Sequence, residues 1–179
     1  MYIDPVRHSG RPTDDRIPQD MAIYDELERQ GISFERVDHD HADTMEDCRK
    51  IEEVLDAKIC KNLFLCNRQK TQFYLLLMPG NKPFHTKDLT GQLGCSRLSF
   101  AGVEPMHELL GVTPGSVSVL GLLNDTENRV RLVIDRDVLQ PEFFACHPCR
   151  NTSSLRIATA DLTGRILPAL RHEPDYVSL

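Results

Sequence analysis

Apolar positions in this chain come in short clusters broken by polar punctuation, some with a helical period and some alternating like strands. From Gln19 to Gln30 the pattern around MAIYDELERQ is helical, with Gly31 placed as its stop, and ISFERV reads as a first strand. Asp43 or Thr44 caps a second helix that runs to about Asp56 and buries Cys48, Ile51 and Leu55. KICKNLFLC and TQFYLLLMP follow, and the polar NRQK between them predicts a hairpin. Thr86 opens a short helix (KDLTGQLG), RLSFA is a short strand, and EPMHELLG is a helix closed by Gly111.

SVSVLGL and NRVRLVID predict a second hairpin-like pair, with a short helical piece near Val138 behind it. FFACHP and SSLRIA read as strands, and Thr159 caps a last helix with Leu162, Ile166 and Leu170 inward. Residues 1–18 mix Pro, Gly and charge without periodicity and read as an N-terminal arm ahead of one domain over residues 19–179. Helices interleave with short, mostly antiparallel strands and lack a regular βαβ rhythm. The expected fold class is a single mixed α/β, or α+β, domain.

Within KICKNLFLC, Ile59, Leu63 and Leu65 alternate onto one face, and Cys60, Phe64 and Cys66 onto the other. Lys61 falls with the first set and Asn62 with the second. A charge buried there without a partner costs several kcal/mol. Lys61 therefore either sits at a strand end and snorkels to water, or faces a cleft where its ammonium holds an anion. Asn62 beside it offers both a donor and an acceptor.

Composition narrows the classes. With 40 % hydrophobic and 27 % charged residues among 179, the chain is of ordinary globular make-up. No apolar run approaches the roughly 20 residues of a membrane helix, so no membrane partner is expected and the cytoplasm is the expected location. Six cysteines are too sparse for a disulfide scaffold and read as reduced thiols. A net charge of −6 argues against a broad nucleic-acid coat, and no DNA is expected. Lys50, Lys58, Lys61, Arg68 and Lys70 nevertheless form a local basic surplus, which is either a solvated face or a patch for one phosphate.

Two further segments carry candidate chemistry. In GVTPGSVS, residues 111–118, Gly111, Pro114 and Gly115 make either a plain helix stop and turn, or a turn whose N–H groups point at an oxyanion. In CHPCRNTSS, residues 146–154, His147 precedes Pro148, and Asn151, Thr152, Ser153 and Ser154 add a dense polar cluster. The single Cys-x-x-Cys is weak as a zinc site, which usually takes four ligands, and no metal or cofactor is expected. A redox dithiol and a serine triad are equally poorly supported. His39, His41, His85 and His107 stand alone and receive no role.

Taken together these segments resemble the YbaK/ProX superfamily of aminoacyl-tRNA editing domains over residues 20–178. The points of resemblance are Lys61-Asn62-Leu63-Phe64-Leu65, Arg97-Leu98-Ser99-Phe100-Ala101 and Leu110 through Val117. His147-Pro148, Asn151-Thr152 and Asp161-Leu162 complete the set. The chain is most similar to the ProX type, which removes alanine wrongly attached to proline tRNA.

The resemblance implies a mixed, mostly antiparallel sheet packed with helices. It also implies ester hydrolysis without metal or covalent nucleophile, helped by the substrate's own 2′-hydroxyl. By the same resemblance Lys61 and Gly115 are catalytic, and Asn62, Ser116, Val117, Ser118, His147, Asn151 and Thr152 bind the substrate. Lys50 and Lys58 would contact tRNA. The implied partners are the acceptor end of a mischarged tRNA and prolyl-tRNA synthetase or an elongation factor. One departure stands out: position 119 is Val where relatives have Pro. Editing of Ser-, Thr-, Cys- or 2-aminobutyryl-tRNA, and a non-catalytic tRNA- or synthetase-binding module, are the alternatives.

Overall fold

The computed structural model describes residues 1–179. In chain order its first elements are β1 (His8–Ser9), α1 (Pro18–Arg29), β2 (Phe34–Asp38), α2 (Met45–Leu55), β3 (Cys60–Asn67) and β4 (Phe73–Pro79). Then come α3 (Thr86–Leu93), β5 (Leu98–Phe100), α4 (Val103–Leu110) and a 3₁₀ turn at Val119–Asn124. The rest is β6 (Val130–Asp135), β7 (Phe143–Cys146), β8 (Ser153–Ala158), a helical run over residues 159–169 and β9 (Asp175–Val177). The strands form one five-stranded sheet, β5-β3-β4-β6-β9, and one four-stranded sheet, β1-β2-β8-β7. The mixed α/β class expected from the sequence is the class observed.

The first predicted hairpin forms as expected, with β3 antiparallel to β4 and Lys61 opposite Met78. Asn67 closes its turn by accepting from the backbone N–H groups of Thr71 and Gln72. One face of the sheet, with Phe64, Cys66, Leu75 and Leu77, packs into the main core with α1, Phe144 and Ile157. The other, with Leu65, Tyr74, Leu76 and Met78 and continued by Leu98 of β5 and Val177 of β9, packs against Leu89 of α3. Covering on both faces is why TQFYLLLMP reads as a continuous apolar run rather than an alternating one. Truncating one of these buried leucines to alanine costs about 2–5 kcal/mol.

The second predicted hairpin does not form. Val119–Asn124 is a 3₁₀ turn, while β6 runs parallel to both β4 and β9. The Ser118 hydroxyl accepts from the Leu120 N–H and starts the turn. The Asp125 carboxylate accepts from the amides of Arg129 and Val130 and redirects the chain into β6. Val119, Leu120, Gly121 and Leu122 are all buried, so no alternation was available to separate a strand from a turn buried all round.

The N-terminal segment read as an arm is docked. Ile3 bridges to His39, His8 and Ser9 pair with Arg36 and Glu35, and the Gly10 N–H donates to Phe34. Thr44, rather than Asp43, caps α2, through a reciprocal pair with Asp47. No helix is long and apolar enough to cross a membrane.

Candidate active site

The two sheets leave an open cleft of about 860 Å³ where β3 begins. Its walls include Lys61, Asn62 and Leu63 of β3, the 79–83 loop, one side of α2, Gly115 and Val117, and His147. Two glycines make this shape possible. A Cβ at Gly80 would run into the Ile59 carbonyl oxygen, so only glycine lets this loop cross β3 so closely. Gly115 has φ +84, and a Cβ there would lie 3.3 Å from Asn151 Nδ2.

Lys61 extends along the face it shares with Leu63 and Leu65 until the apolar cover ends. Its Nζ donates to the Lys82 carbonyl at 2.6 Å and meets no carboxylate. An ammonium has three donors, so two remain for a ligand in the cleft. Lys82 is itself anchored, its ammonium 2.7 Å from both Asp135 and Asp137. Asn62 points to the opposite side of the strand. Its Oδ1 accepts from the Val119 N–H at 2.8 Å, and its Nδ2 makes only a long 3.3 Å bond to the Cys60 carbonyl.

His147 is held from behind. Its Nδ1 lies 2.9 Å from the Ser153 carbonyl, which can only accept, so Nδ1 carries the proton. Nε2 is then an unprotonated acceptor with no protein partner. Burial holds the imidazole below its usual 6.5, so the ring is neutral at pH 7. The Ser154 hydroxyl, 3.4 Å from His147 Nδ1, donates to His39 Nε2 at 2.9 Å. His39, which received no role from the sequence, is 5 % exposed, kept neutral by burial and fixed at Nδ1 by the Asp40 carbonyl. The signal was present: His39 continues the alternation through Val37, which is also buried. His41, His85 and His107 are exposed.

The other candidate residues divide. Gly115, Val117 and Lys58 line the cleft with Lys61, Asn62 and His147. Asn151 stands behind the wall, 3 % exposed, clamping Ala42 through both its N–H and its carbonyl. Ser116 and Ser118 are buried behind the same loop. Thr152 opens onto a separate polar cavity with Arg16, Tyr24 and Asp38. Lys58 pairs with Glu52 at 2.8 Å, whereas Lys50 is exposed on α2, 3.7 Å from Glu46. Arg49, Glu52, Asn81 and Pro83 also line the cleft and were not singled out from the sequence. Cys60, Cys146 and Cys149 have their thiols pushed up to about 12 by burial, so none offers a thiolate at neutral pH.

The sequence model of the aminoacyl-tRNA editing domain matches residues 39–164, which contain every one of these cleft residues. The chain belongs to that family. It is accordingly an enzyme of the aminoacyl-tRNA deacylase class. Prolyl-tRNA editing protein ProX of Acetoanaerobium sticklandii is 30 % identical over 141 residues, covering 79 % of this chain and 86 % of its own. Prolyl-tRNA synthetase associated domain-containing protein 1 of Danio rerio is 30 % identical over 154 residues, covering 85 % and 83 %. A crystallised protein described as a candidate trans-editing enzyme for prolyl tRNA synthetase superposes with a TM-score of 0.68 at 17 % identity. That match covers 92 % of this chain and 99 % of the other, and it shows a shared fold.

The cleft can offer two free ammonium N–H donors, a carboxamide N–H, a glycine-bearing turn and one neutral imidazole acceptor, and it contains no activated protein nucleophile.

Proposed function

We propose that this protein hydrolyses mischarged tRNA in trans, in the cytoplasm, with Ala-tRNA(Pro) as the favoured substrate. The observation that carries the proposal is that Lys61, Asn62, Gly115 and His147 line one cleft, with the Lys61 ammonium free of any carboxylate. Lys61 holds the terminal phosphate or the ester oxygens as a compact point charge. Asn62 Nδ2 reaches the aminoacyl group, and the turn at Gly115 presents backbone N–H groups where the carbonyl oxygen becomes negative. His147 Nε2 accepts a hydrogen bond from the substrate ammonium or from the attacking water.

Water adds to the ester carbonyl carbon, oriented by the substrate's 2′-hydroxyl. The carbon–oxygen bond to the ribose then breaks, and one water proton ends on the ribose oxygen. Free amino acid and tRNA leave. The ester is already activated, so placement and electrostatics suffice; well-oriented groups can supply about 7–11 kcal/mol of a barrier. The wall made by His147 and by Gly115, backed by Asn151, would admit alanine and reject the larger proline ring on sterics. Steric exclusion of a larger group discriminates better than an apolar pocket discriminates against a smaller one. Prolyl-tRNA synthetase, which makes the mischarged species, is the natural partner.

The test is a panel of proline tRNAs charged with alanine, serine, threonine, cysteine, 2-aminobutyrate or proline. Alanine should be released fastest and proline retained. Faster release of another amino acid moves the substrate assignment, and tRNA binding with no release from any member would make this a binding module instead.

A further inference from the structure

The face of the sheet that carries Lys61 continues past the cleft. Phe100 on β5 pairs with Leu65 on β3. Opposed residues share a face, and residues two apart on one strand do as well, so Phe100 stands on the side of Lys61 and Leu63. Leu65 is fully buried, yet Phe100 is 64 % exposed and Val103, at the start of α4, is 59 % exposed. The Phe84 ring meets Phe100 edge-on, with centroids 6.2 Å apart. Phe84 follows Pro83, which lines the cleft, and it packs on the same cluster as Leu63, which lines it too. An apolar strip thus leads out of the cleft from Leu63 and Pro83 to a pair of aromatic rings, Phe84 half-buried and Phe100 open to solvent.

We propose that Phe84 and Phe100 form a stacking platform for the unpaired bases next to the reacting nucleotide at the tRNA 3′ end. The proposal rests on the reading that the aminoacyl ester docks at Lys61. Strand geometry places Phe100 roughly 13 Å along the sheet from Lys61, four residues at about 3.3 Å each. About two to four nucleotides bridge that span, depending on how far the strand is stretched beyond its stacked spacing of roughly 3.4 Å. Lys87 on α3 and Arg97 just before β5, close in sequence to Phe84 and Phe100, are exposed cations, and neither forms an ion pair. Asp88 and Glu104 lie close by in sequence and keep the local field modest, so stacking rather than charge carries the contact.

A protein partner fits the patch less well. Two rings and one valine are far short of the roughly 800 Å² per partner of a stable interface. Aromatic faces beside free cations suit single-stranded nucleic acid, whose bases all present a π-face.

The experiment compares wild type, Phe100→Ala and Phe100→Trp on two substrates: full Ala-tRNA(Pro), and the alanyl ester of adenosine, which lacks the neighbouring bases. Phe100 is exposed, so neither variant should alter folding. Phe100→Ala should raise KM for the tRNA about tenfold to hundredfold, the usual loss of one stacked base, and leave the adenosine ester unaffected. Phe100→Trp should retain tRNA affinity. Unchanged KM on the tRNA, or equal losses on both substrates, would overturn the platform. Wild-type self-association that Phe100→Ala abolishes would instead assign the patch to a second copy of the chain. If wild type cleaves neither ester, the functional reading fails on its own; equilibrium binding of uncharged tRNA to wild type and Phe100→Ala still decides the platform.

Discussion

The two walls of the cleft are built on opposite terms. On one side, His147 is fixed by the Ser153 carbonyl and the buried Ser154 and His39, while Asn151 locks the neighbouring backbone to Ala42. The side chains of Asn151, Ser153, Ser154 and His39 there are all bonded within the protein, and His147 Nε2 is left free. On the other side Lys61 has one bond, to a loop carbonyl, and two donors left over. Under the proposed function, the first wall is the rigid gauge for the size of what enters. The second presents a charge that becomes fully used only when an anion arrives. The proposed function thereby assigns shape recognition and charge stabilisation to different elements, and it predicts that each can be altered with little effect on the other.

The largest expected effect comes from removing the charge. Lys61→Met should lower kcat/KM for release about 10²–10³-fold, the scale of losing one preorganised electrostatic group, while Tm stays near wild type. Lys61→Arg should recover only part of that, because a planar fork does not replace a point charge.

Asn151→Ala acts on the other wall. It leaves the N–H and carbonyl of Ala42 without their partner and should cost about 1–3 kcal/mol of stability in denaturant unfolding. A variant as stable as wild type would show that the wall does not depend on this clamp.

A smaller effect is graded by pH. Burial holds His39 and His147 below 6.5, so the unfolded chain takes up protons first as pH falls. The corresponding stability is complete above about 6.5 and is lost progressively below it, toward the folded-state values. Enzymatic release, corrected for spontaneous hydrolysis, should fall only at the lower end of that window, where pH reaches the lowered folded-state value of His147 and Nε2 becomes protonated. A rate that stays constant through the pH at which NMR shows the folded His147 ring taking up its proton would remove the neutral imidazole from the mechanism.

The smallest effect concerns the departure at position 119. Valine supplies the N–H that holds Asn62 Oδ1, and Val119 is the first residue of the 3₁₀ turn, where proline has a suitable φ. Val119→Pro should therefore keep the fold and remove one hydrogen bond, raising KM by up to about tenfold. No change in KM would mean that Asn62 needs no such support.

How far the sequence reaches follows the same division. Lys61 was legible because an alternating strand makes a misplaced charge visible, and the β3–β4 hairpin, α2 with its cap, and the Gly111 stop all follow local rules. The 3₁₀ turn at Val119–Asn124 was misread because a segment buried on all sides carries no periodicity. The docking of residues 1–18 was hidden because its backbone pairing leaves no periodicity and its side-chain pairs, such as Arg16 with Asp38 and Ser153, join residues far apart in sequence. The support behind His147 was invisible for a different reason. His39 and Ser154 are 115 residues apart and meet only when β2 pairs with β8.

The division of labour between the two walls is tested most directly by one ratio: the rate of alanine release from Ala-tRNA(Pro) over the rate of proline release from Pro-tRNA(Pro). It is measured for wild type, Lys61→Met and His147→Ala. Lys61→Met should be slow on both substrates with the wild-type ratio preserved. His147→Ala should open the pocket, raise proline release and shrink the ratio about tenfold or more. If both variants change the ratio equally, or if His147→Ala leaves it untouched, the two walls do not have separate roles.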